Sequence, residues 1–399
     1  MPASKSQTAQ MLIIKGPTVT SDETNADVLE VFGHHRDLIS LPVLEQERPI
    51  GLISRGIFMS QMSKPYYREL YEKKSCIAFM DKSPLIVNVD TPIETLATRA
   101  VESGYKTLAD GFVIVDGETF AGVGAGLDLM HALATLQAEK NHQIMLSIGY
   151  ASNIQRALLS ESHNALYDTL SDAEIVWMPR DVIGGDYYHF RNYEDGWFAA
   201  IADCTGHGVP GAFLTLIASS TLTHALDQQG PRDPGRLMAE VSRNMKLALG
   251  QHSASQHADS NDGMDTAFFW FDRNTRRLVS SHANMPLFVL PASGDEGFVV
   301  QGERTGLGYT DTRADMAWKN HQTQLEPGTL LCCCTDGLID QVGGPKSIAF
   351  GKRRLRQALQ RHRNLPISEL TRRLMSEFDL YQGTQKRRDD LTIFNLRVE

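Results

Sequence analysis

Between Gly184 and Thr392 the chain carries four short motifs, each of which reads as an aspartate at the end of a strand: Gly184-Gly185-Asp186, Ala202-Asp203-Cys204-Thr205-Gly206-His207-Gly208, Thr335-Asp336-Gly337 and Arg388-Asp389-Asp390-Leu391-Thr392. Glycine, or the junction of a strand with a turn, lets the backbone bend sharply and leaves a short carboxylate pointing into a shared space. Carboxylates gathered in one place repel one another unless a cation sits among them, and hard divalent ions such as Mg2+ and Mn2+ prefer oxygen ligands. A fold that unites these motifs is therefore expected to hold metal.

The 399 residues exceed what one core usually supports, so two or three domains are expected at roughly 150 residues each. A net charge of -9 argues against nucleic acid as a partner. No apolar run approaches the roughly 20 residues that cross a bilayer, and Met1-Pro2-Ala3-Ser4-Lys5-Ser6 lacks the apolar core of a signal peptide, so a cytoplasmic protein without a membrane partner is expected. Cys332, Cys333 and Cys334 lie in the apolar run Thr329 to Thr335, which reads as a buried strand rather than as thiol chemistry or a CxxC metal site.

Residues 41–60 and 111–134 repeat one pattern of strand, turn, strand and helix. Leu41-Pro42-Val43-Leu44 leads to Pro49-Ile50-Gly51-Leu52-Ile53-Ser54, and Phe112-Val113-Ile114-Val115 leads to Phe120-Ala121-Gly122-Val123. Between them, Thr91-Pro92 with Glu94 marks a helix start. The duplication resembles an α/β tandem CBS module. That resemblance implies an adenine nucleotide at the strand-to-helix corners, where Ser54 and Asp128 keep one half each of the usual Ser/Thr and Asp pair, while Ile57 and Ala125 replace the other halves. A degenerate module that dimerises or spaces is the alternative. A helical pattern from Leu127 to about Ser171 follows, with an apolar stripe suited to a dimer seam.

From Glu174 strands dominate: Ile175-Val176-Trp177-Met178, Val182-Ile183, Trp197 to Ala202, Thr266 to Phe271, Leu330 to Cys334 and Leu391 to Leu396. Helices are expected over Pro210 to Leu226, Pro234 to Leu249 and within Lys352 to Phe378. Strands in series with inserted helices form a layered α+β sandwich. The expected organisation is a disordered arm over 1–10, a tandem CBS-like regulatory module over 11–136, a helical linker over 137–171 and a catalytic domain over 172–399.

The four motifs in this order resemble the metal-dependent type 2C serine/threonine protein phosphatases, in the bacterial SpoIIE-like branch. The resemblance implies a four-layer α-β-β-α sandwich and two Mn2+ or Mg2+ ions. It places Asp203 between the ions, Asp186 and the carbonyl of Cys204 on one, and Asp336 and Asp389 on the other, with a metal-bridged hydroxide attacking the phosphorus. His207 is the candidate proton donor to the leaving alkoxide, or else a turn histidine. Arg180 is a candidate phosphate ligand or a surface ion pair, and Asp265 a further metal or substrate ligand or a turn carboxylate. The branch often has Ala-Gly-His-Pro-Pro where this chain reads Ala283-Asn284-Met285-Pro286-Leu287, so that histidine is absent here. Gln251 to Asn261, with His252 and His257, reads as a flap or a solvated loop, and Lys352, Arg353, Arg354, Arg356, Arg361 and Arg363 as a basic helix face.

The expected activity is a phosphoserine/phosphothreonine protein phosphatase acting on a small STAS-type protein, regulated by the CBS-like module and assembled as a homodimer. The alternatives are a catalytically silent nucleotide-sensing binding protein and a small-molecule phosphate hydrolase.

Overall fold

The computed structural model describes residues 7–251, 261–293 and 296–399. It divides into two compact units, Met1–Ile144 and Met145–Glu399.

The first unit runs β1 (Val19–Thr20), α1 (Asn25–His34), β2 (Ser40–Glu45), β3 (Arg48–Ser54), α2 (Arg55–Met62), α3 (Tyr67–Tyr71), β4 (Ile86–Asn88), α4 (Ile93–Glu102), α5 (Tyr105–Asp110), β5 (Phe112–Asp116) and β6 (Thr119–Gly124). It ends in the long helix α6 (Gly126–Thr169), which continues into the second unit. Two three-stranded sheets result, in the orders β1-β2-β3 and β4-β5-β6. In each, the first pairing is parallel and the second antiparallel. The halves even share an irregularity, a register shift between Val43 and Leu44 in one and between Ile114 and Val115 in the other. Each sheet buries its apolar face on its own helices: Leu41, Val43 and Ile53 against Val28, Phe32 and Phe58, and Phe112 and Ile114 against Ile93, Leu96 and Ala100. Leu52, Val113 and Val115 join the halves.

Two sequence expectations are corrected by local geometry. The expected disordered arm over residues 1–10 does not extend to its end, because Ala9–Leu12 forms a 3-10 turn in which Ala9 is fully buried and its N–H donates to the Thr91 carbonyl at 2.8 Å. Residues 1–6 lie outside the described residues. The long helix begins at Gly126, as the helical pattern from Leu127 implies, and Leu129 and Ala132 on it belong to the core of the first unit. Pro92, without a side-chain cap, precedes α4 in place of the expected threonine cap.

The second unit contains β7 (Ala173–Met178), β8 (Asp186–Tyr193), β9 (Gly196–Cys204), α7 (Gly208–Gln229), α8 (Pro234–Ala248), β10 (Met264–Asp272), β11 (Arg277–Ala283), β12 (Leu287–Leu290), β13 (Phe298–Val300), β14 (His321–Gln324), β15 (Leu330–Cys334), α9 (Asp336–Ile339), β16 (Val342–Gly343), β17 (Ile348–Ala349), α10 (Gly351–His362), α11 (Ile367–Gln382) and β18 (Leu391–Arg397). Two five-stranded sheets carry the architecture, ordered β14-β11-β10-β9-β8 and β13-β12-β15-β18-β7. Helices α7 and α8 pack on the first sheet, and α10 and α11 on the second, which gives the expected four layers.

The strand period of two explains the cysteine run. Cys333 joins the core between the sheets, while Cys332 and Cys334 face α10 and α11. All five cysteines are free and buried, and burial raises every one of their thiol pKa values. Val182-Ile183 is not a strand. The chain there leaves the sheet so that the amides of Gly184 and Gly185 can reach the side chains of Gln155 and Asp390, at 3.2 and 2.6 Å. Helix α7 is the one helix among the described residues that is long and apolar enough to cross a membrane, and half of that stretch is buried in the unit.

Phe378, fully buried between α11 and the second sheet, should cost about 3–5 kcal/mol when cut to alanine, whereas exposed Leu380→Ala on the same helix should stay within about 0.5 kcal/mol. Denaturant titration of both variants checks the pair.

Candidate active site

Strand register builds the site. Asp186 opens β8 and pairs with Asp203 near the end of β9, and Asp203 pairs in turn with Asp265 on β10. Directly opposed residues of an antiparallel sheet share a face, so three carboxylates stand in one row. Like charges so placed are destabilising without a counter-ion. In the second sheet, Asp336 follows β15 and Asp389 precedes β18, and these two strands are neighbours. The two sheets thus present five aspartates at one end of the sandwich.

Asp186 ties the rows together. Its side chain is 1% exposed, and the hydroxyls of Thr335 and Thr392 donate to its Oδ2 at 2.8 and 2.6 Å. Those two threonines come from the second sheet, and each also completes a backbone link between β15 and β18. Oδ1 of Asp186 is buried with no hydrogen-bond partner among the described residues.

Electrostatics follow from this crowding. Burial, and then the neighbouring carboxylates, push Asp186 and Asp203 well above the ordinary carboxylate range. For Asp203 those neighbours are Asp186, Asp336, Asp389 and Asp265. Burial followed by Asp389 and Asp340 raises Asp336 to about 6, against a hydrogen bond with Asp203 that acts the other way. Asp265 is raised by burial and eased by Asn284, whose side-chain amide donates to it at 2.9 Å. Asn284 takes a left-handed conformation, φ 61°, which asparagine tolerates better than most residues. The position of the missing histidine motif is therefore used to hold Asp265.

These groups border a cleft of about 240 Å³ that includes Asp203, Asp265, Asn284, Asp336 and Lys352. Among the described residues no three acidic, histidine or cysteine side chains already close into a metal cage. The donor set nevertheless suits hard cations: an orphaned buried carboxylate oxygen and opposed aspartates with raised pKa values, while Cys334, which also borders the cleft, is kept protonated by burial.

Asp390 frames the site, a role that the sequence alone leaves unassigned. Its carboxylate accepts from the amides of Arg180 and Gly185 at 2.5 and 2.6 Å. The motif glycines are required by the same packing. A Cβ on Gly184 would lie 2.6 Å from the Asp390 carboxyl carbon, and one on Gly337 would lie 1.8 Å from the Asp390 carbonyl oxygen. A Cβ on Gly185 would lie 2.7 Å from the carbonyl oxygen of Cys204, so glycine there leaves that carbonyl room.

Helix α6 reaches the site directly. Gln155, 4% exposed, donates to the Gly184 carbonyl at 2.7 Å and accepts from the Gly184 amide at 3.2 Å. Nothing in its local sequence marks it; only its place in a helical pattern before the first motif offers a signal.

The remaining candidates fall outside the carboxylate cluster. His207 precedes α7 and stands beside Arg180, which donates to its Nδ1 at 2.6 Å, and beside Asp181 at 3.1 Å. Arg180 also donates to the Arg388 carbonyl at 3.2 Å and to Asp181 at 3.0 Å. Both side chains border the loops of the site without touching Asp203. In the first unit, Ser54 caps α2 and donates to Asp110 at 2.5 Å, while Asp128 stands exposed in the first turn of α6. Cavities of about 50 and 70 Å³ lie beside Ser54 and Ala125, small against the roughly 300 Å³ or more of ordinary ligand pockets. His252 and His257 of the expected flap lie outside the described residues.

Comparison with known proteins agrees with this fold. The family model for Stage II sporulation protein E (SpoIIE) matches residues 193–399, just over half of the chain, and the CBS domain model matches residues 12–64. The SiaA-PP2C domain of Pseudomonas aeruginosa superposes with a TM-score of 0.59 at 34% identity, covering 66% of this chain and all of that domain. Phosphoserine phosphatase RsbU of Bacillus subtilis (strain 168) is 23% identical over 226 residues, 56% of this chain. The match spans 61% of the length of that curated relative. With a PP2C-type sandwich, the four aspartate motifs in place and a CBS module ahead of them, the chain belongs to the SpoIIE family.

Proposed function

We propose that the protein is a metal-dependent phosphoserine/phosphothreonine phosphatase with its reaction centre at Asp203. The observation that carries this reading is the row of opposed carboxylates, Asp186, Asp203 and Asp265, of which Asp203 and Asp265 share an open cleft with Asp336. Asp186, Asp203, Asp336, Asp389 and the Cys204 carbonyl would hold two Mn2+ or Mg2+ ions. When bound, such ions supply Lewis acidity to the phosphoryl oxygens and to water. The side chains themselves fix the geometry: Thr335 and Thr392 orient Asp186, Asp390 shapes the Gly184-Gly185 turn, and Gln155 clamps that turn to α6. His207 remains the candidate proton donor, held at the rim by Arg180 and Asp181.

The substrate in this reading is a small phosphorylated STAS-type protein, supported by family membership and by the phosphoserine phosphatase among the relatives. The five free cysteines suit a reducing, cytoplasmic setting. The CBS module acts as regulator through α6, because Gln155 on that helix touches the first metal motif. Exposed Ile144, Met145, Leu146, Tyr150 and Ile154 on α6 favour a homodimer, which light scattering would test, a monomer counting against it.

Wild-type protein should hydrolyse an aryl phosphate with Mn2+, and Asp203→Asn or chelator should lower the rate by at least about a hundredfold; equal rates in all three would overturn the reading. Gln155→Ala should lower kcat several-fold and weaken Mn2+ activation while the fold persists, checked by activity against Mn2+ concentration beside far-UV circular dichroism.

The pH dependence has a defined sign. With Asp336 raised to about 6 from 3.8, the folded metal-free state holds protons that the unfolded chain has released, so its stability falls as pH rises through that window. Asp336 would release its proton on holding a divalent ion. The rise in melting temperature produced by Mn2+ should therefore be larger at about pH 8 than at about pH 5, and Asp336→Asn should flatten the difference.

A further inference from the structure

The basic residues of α10 divide into two groups. Arg354 lies over the Tyr381 ring, 4.5 Å from its centroid, and donates to the carbonyls of Ala349 and Phe350. Arg361 and His362 engage Glu377, and Arg363 donates to the Pro291 carbonyl. These side chains fasten α10 to α11 and to the neighbouring loop. Lys352, Arg353 and Arg356 instead form one wall of a groove of about 600 Å³ whose other wall is β13. Lys352 and Arg353 are exposed and have no acidic side chain within ion-pair distance among the described residues. Arg356 pairs with Glu296 across the groove, an exposed pair that solvent and ligands readily exchange.

Two features fix what the groove suits. Its floor is apolar, with Phe288 and Leu290 beneath and Phe298, 45% exposed, at the lip. Strand β13 stands at the end of its sheet and, among the described residues, pairs only with β12, so the groove lies at the margin of the sheet between β13 and α10. Lys352 borders this groove and also the carboxylate cleft, so the two lie side by side.

We infer that this groove docks an extended acidic segment flanking the phosphoserine of the protein substrate. The inference rests on the phosphatase reading above. A chain of net charge -9 repels an acidic segment over most of its surface, and the cationic wall of α10 is where attraction prevails. An extended chain laid between β13 and α10 would rest apolar side chains on the floor and acidic ones against the cationic wall. Lys352, at the junction, places the start of that segment beside the cleft. A small phosphate ester would fill the cleft and leave the groove unused, so the groove selects proteins over metabolites.

The test uses the full chain and a fluorescein-labelled phosphoserine peptide with acidic neighbours, beside a peptide of equal length with neutral neighbours. Fluorescence anisotropy in chelator reads docking, and Mn2+-dependent aryl phosphate hydrolysis reads the cleft. Wild type should bind the acidic peptide at least about tenfold more tightly than the neutral one. Arg353→Glu with Arg356→Glu should abolish that preference while aryl phosphate hydrolysis stays within about twofold, and Arg353→Lys with Arg356→Lys should retain it. Equal binding of the two peptides, or a preference that survives charge reversal, overturns the assignment. So does a wild-type dimer that the charge reversal dissociates, which would assign the edge of β13 to a second copy of the chain. Absence of Mn2+-dependent hydrolysis in wild type would overturn the phosphatase reading and leave the anisotropy result to decide the groove by itself.

Discussion

The carboxylate of Asp186 is the interaction on which the catalytic half is organised. An aspartate at 1% exposure is costly unless its oxygens are engaged, and here one oxygen is held by two hydroxyls from the opposite sheet. That arrangement fixes the ends of β8, β15 and β18 relative to one another. Asp203, Asp336 and Asp389 inherit their positions from those strand ends. The site is therefore placed by the sandwich itself, not by a mobile loop.

Around that carboxylate the backbone is packed to contact. Gly184, Gly185 and Gly337 have no space for a Cβ because Asp390 and the loop after β9 lie against them. Asp390 spends its two oxygens on backbone amides and so shapes the pocket, whereas its neighbour Asp389 is the proposed metal ligand.

Much of this was readable from residues alone, because the informative features are local. An aspartate beside glycine at a strand end announces itself, and the duplication in the first unit survives as two runs of matching strand and turn residues. The cysteine run was readable as core for the same reason, since a strand buried on both faces needs only small apolar side chains. What the sequence hid are meetings between distant positions. Gln155 lies 29 residues before the glycine it clamps. Asn284 answers Asp265 across 19 residues, and Lys352 arrives at the cleft only because α10 begins there. Val182-Ile183 misled because apolar β-branched residues suggest a strand, whereas the tertiary demands of Asp390 and Gln155 pull that segment out of the sheet.

The buried thiols have a practical consequence. Cys76 lies in the first unit, and Cys204, Cys332, Cys333 and Cys334 lie in the second, all of them inaccessible and held in the protonated, unreactive form. An alkylating reagent in native buffer therefore has nothing to modify until a unit opens. One added mass then counts the opening of the first unit and up to four count the second, so the chain carries its own separate clock for the unfolding of each half.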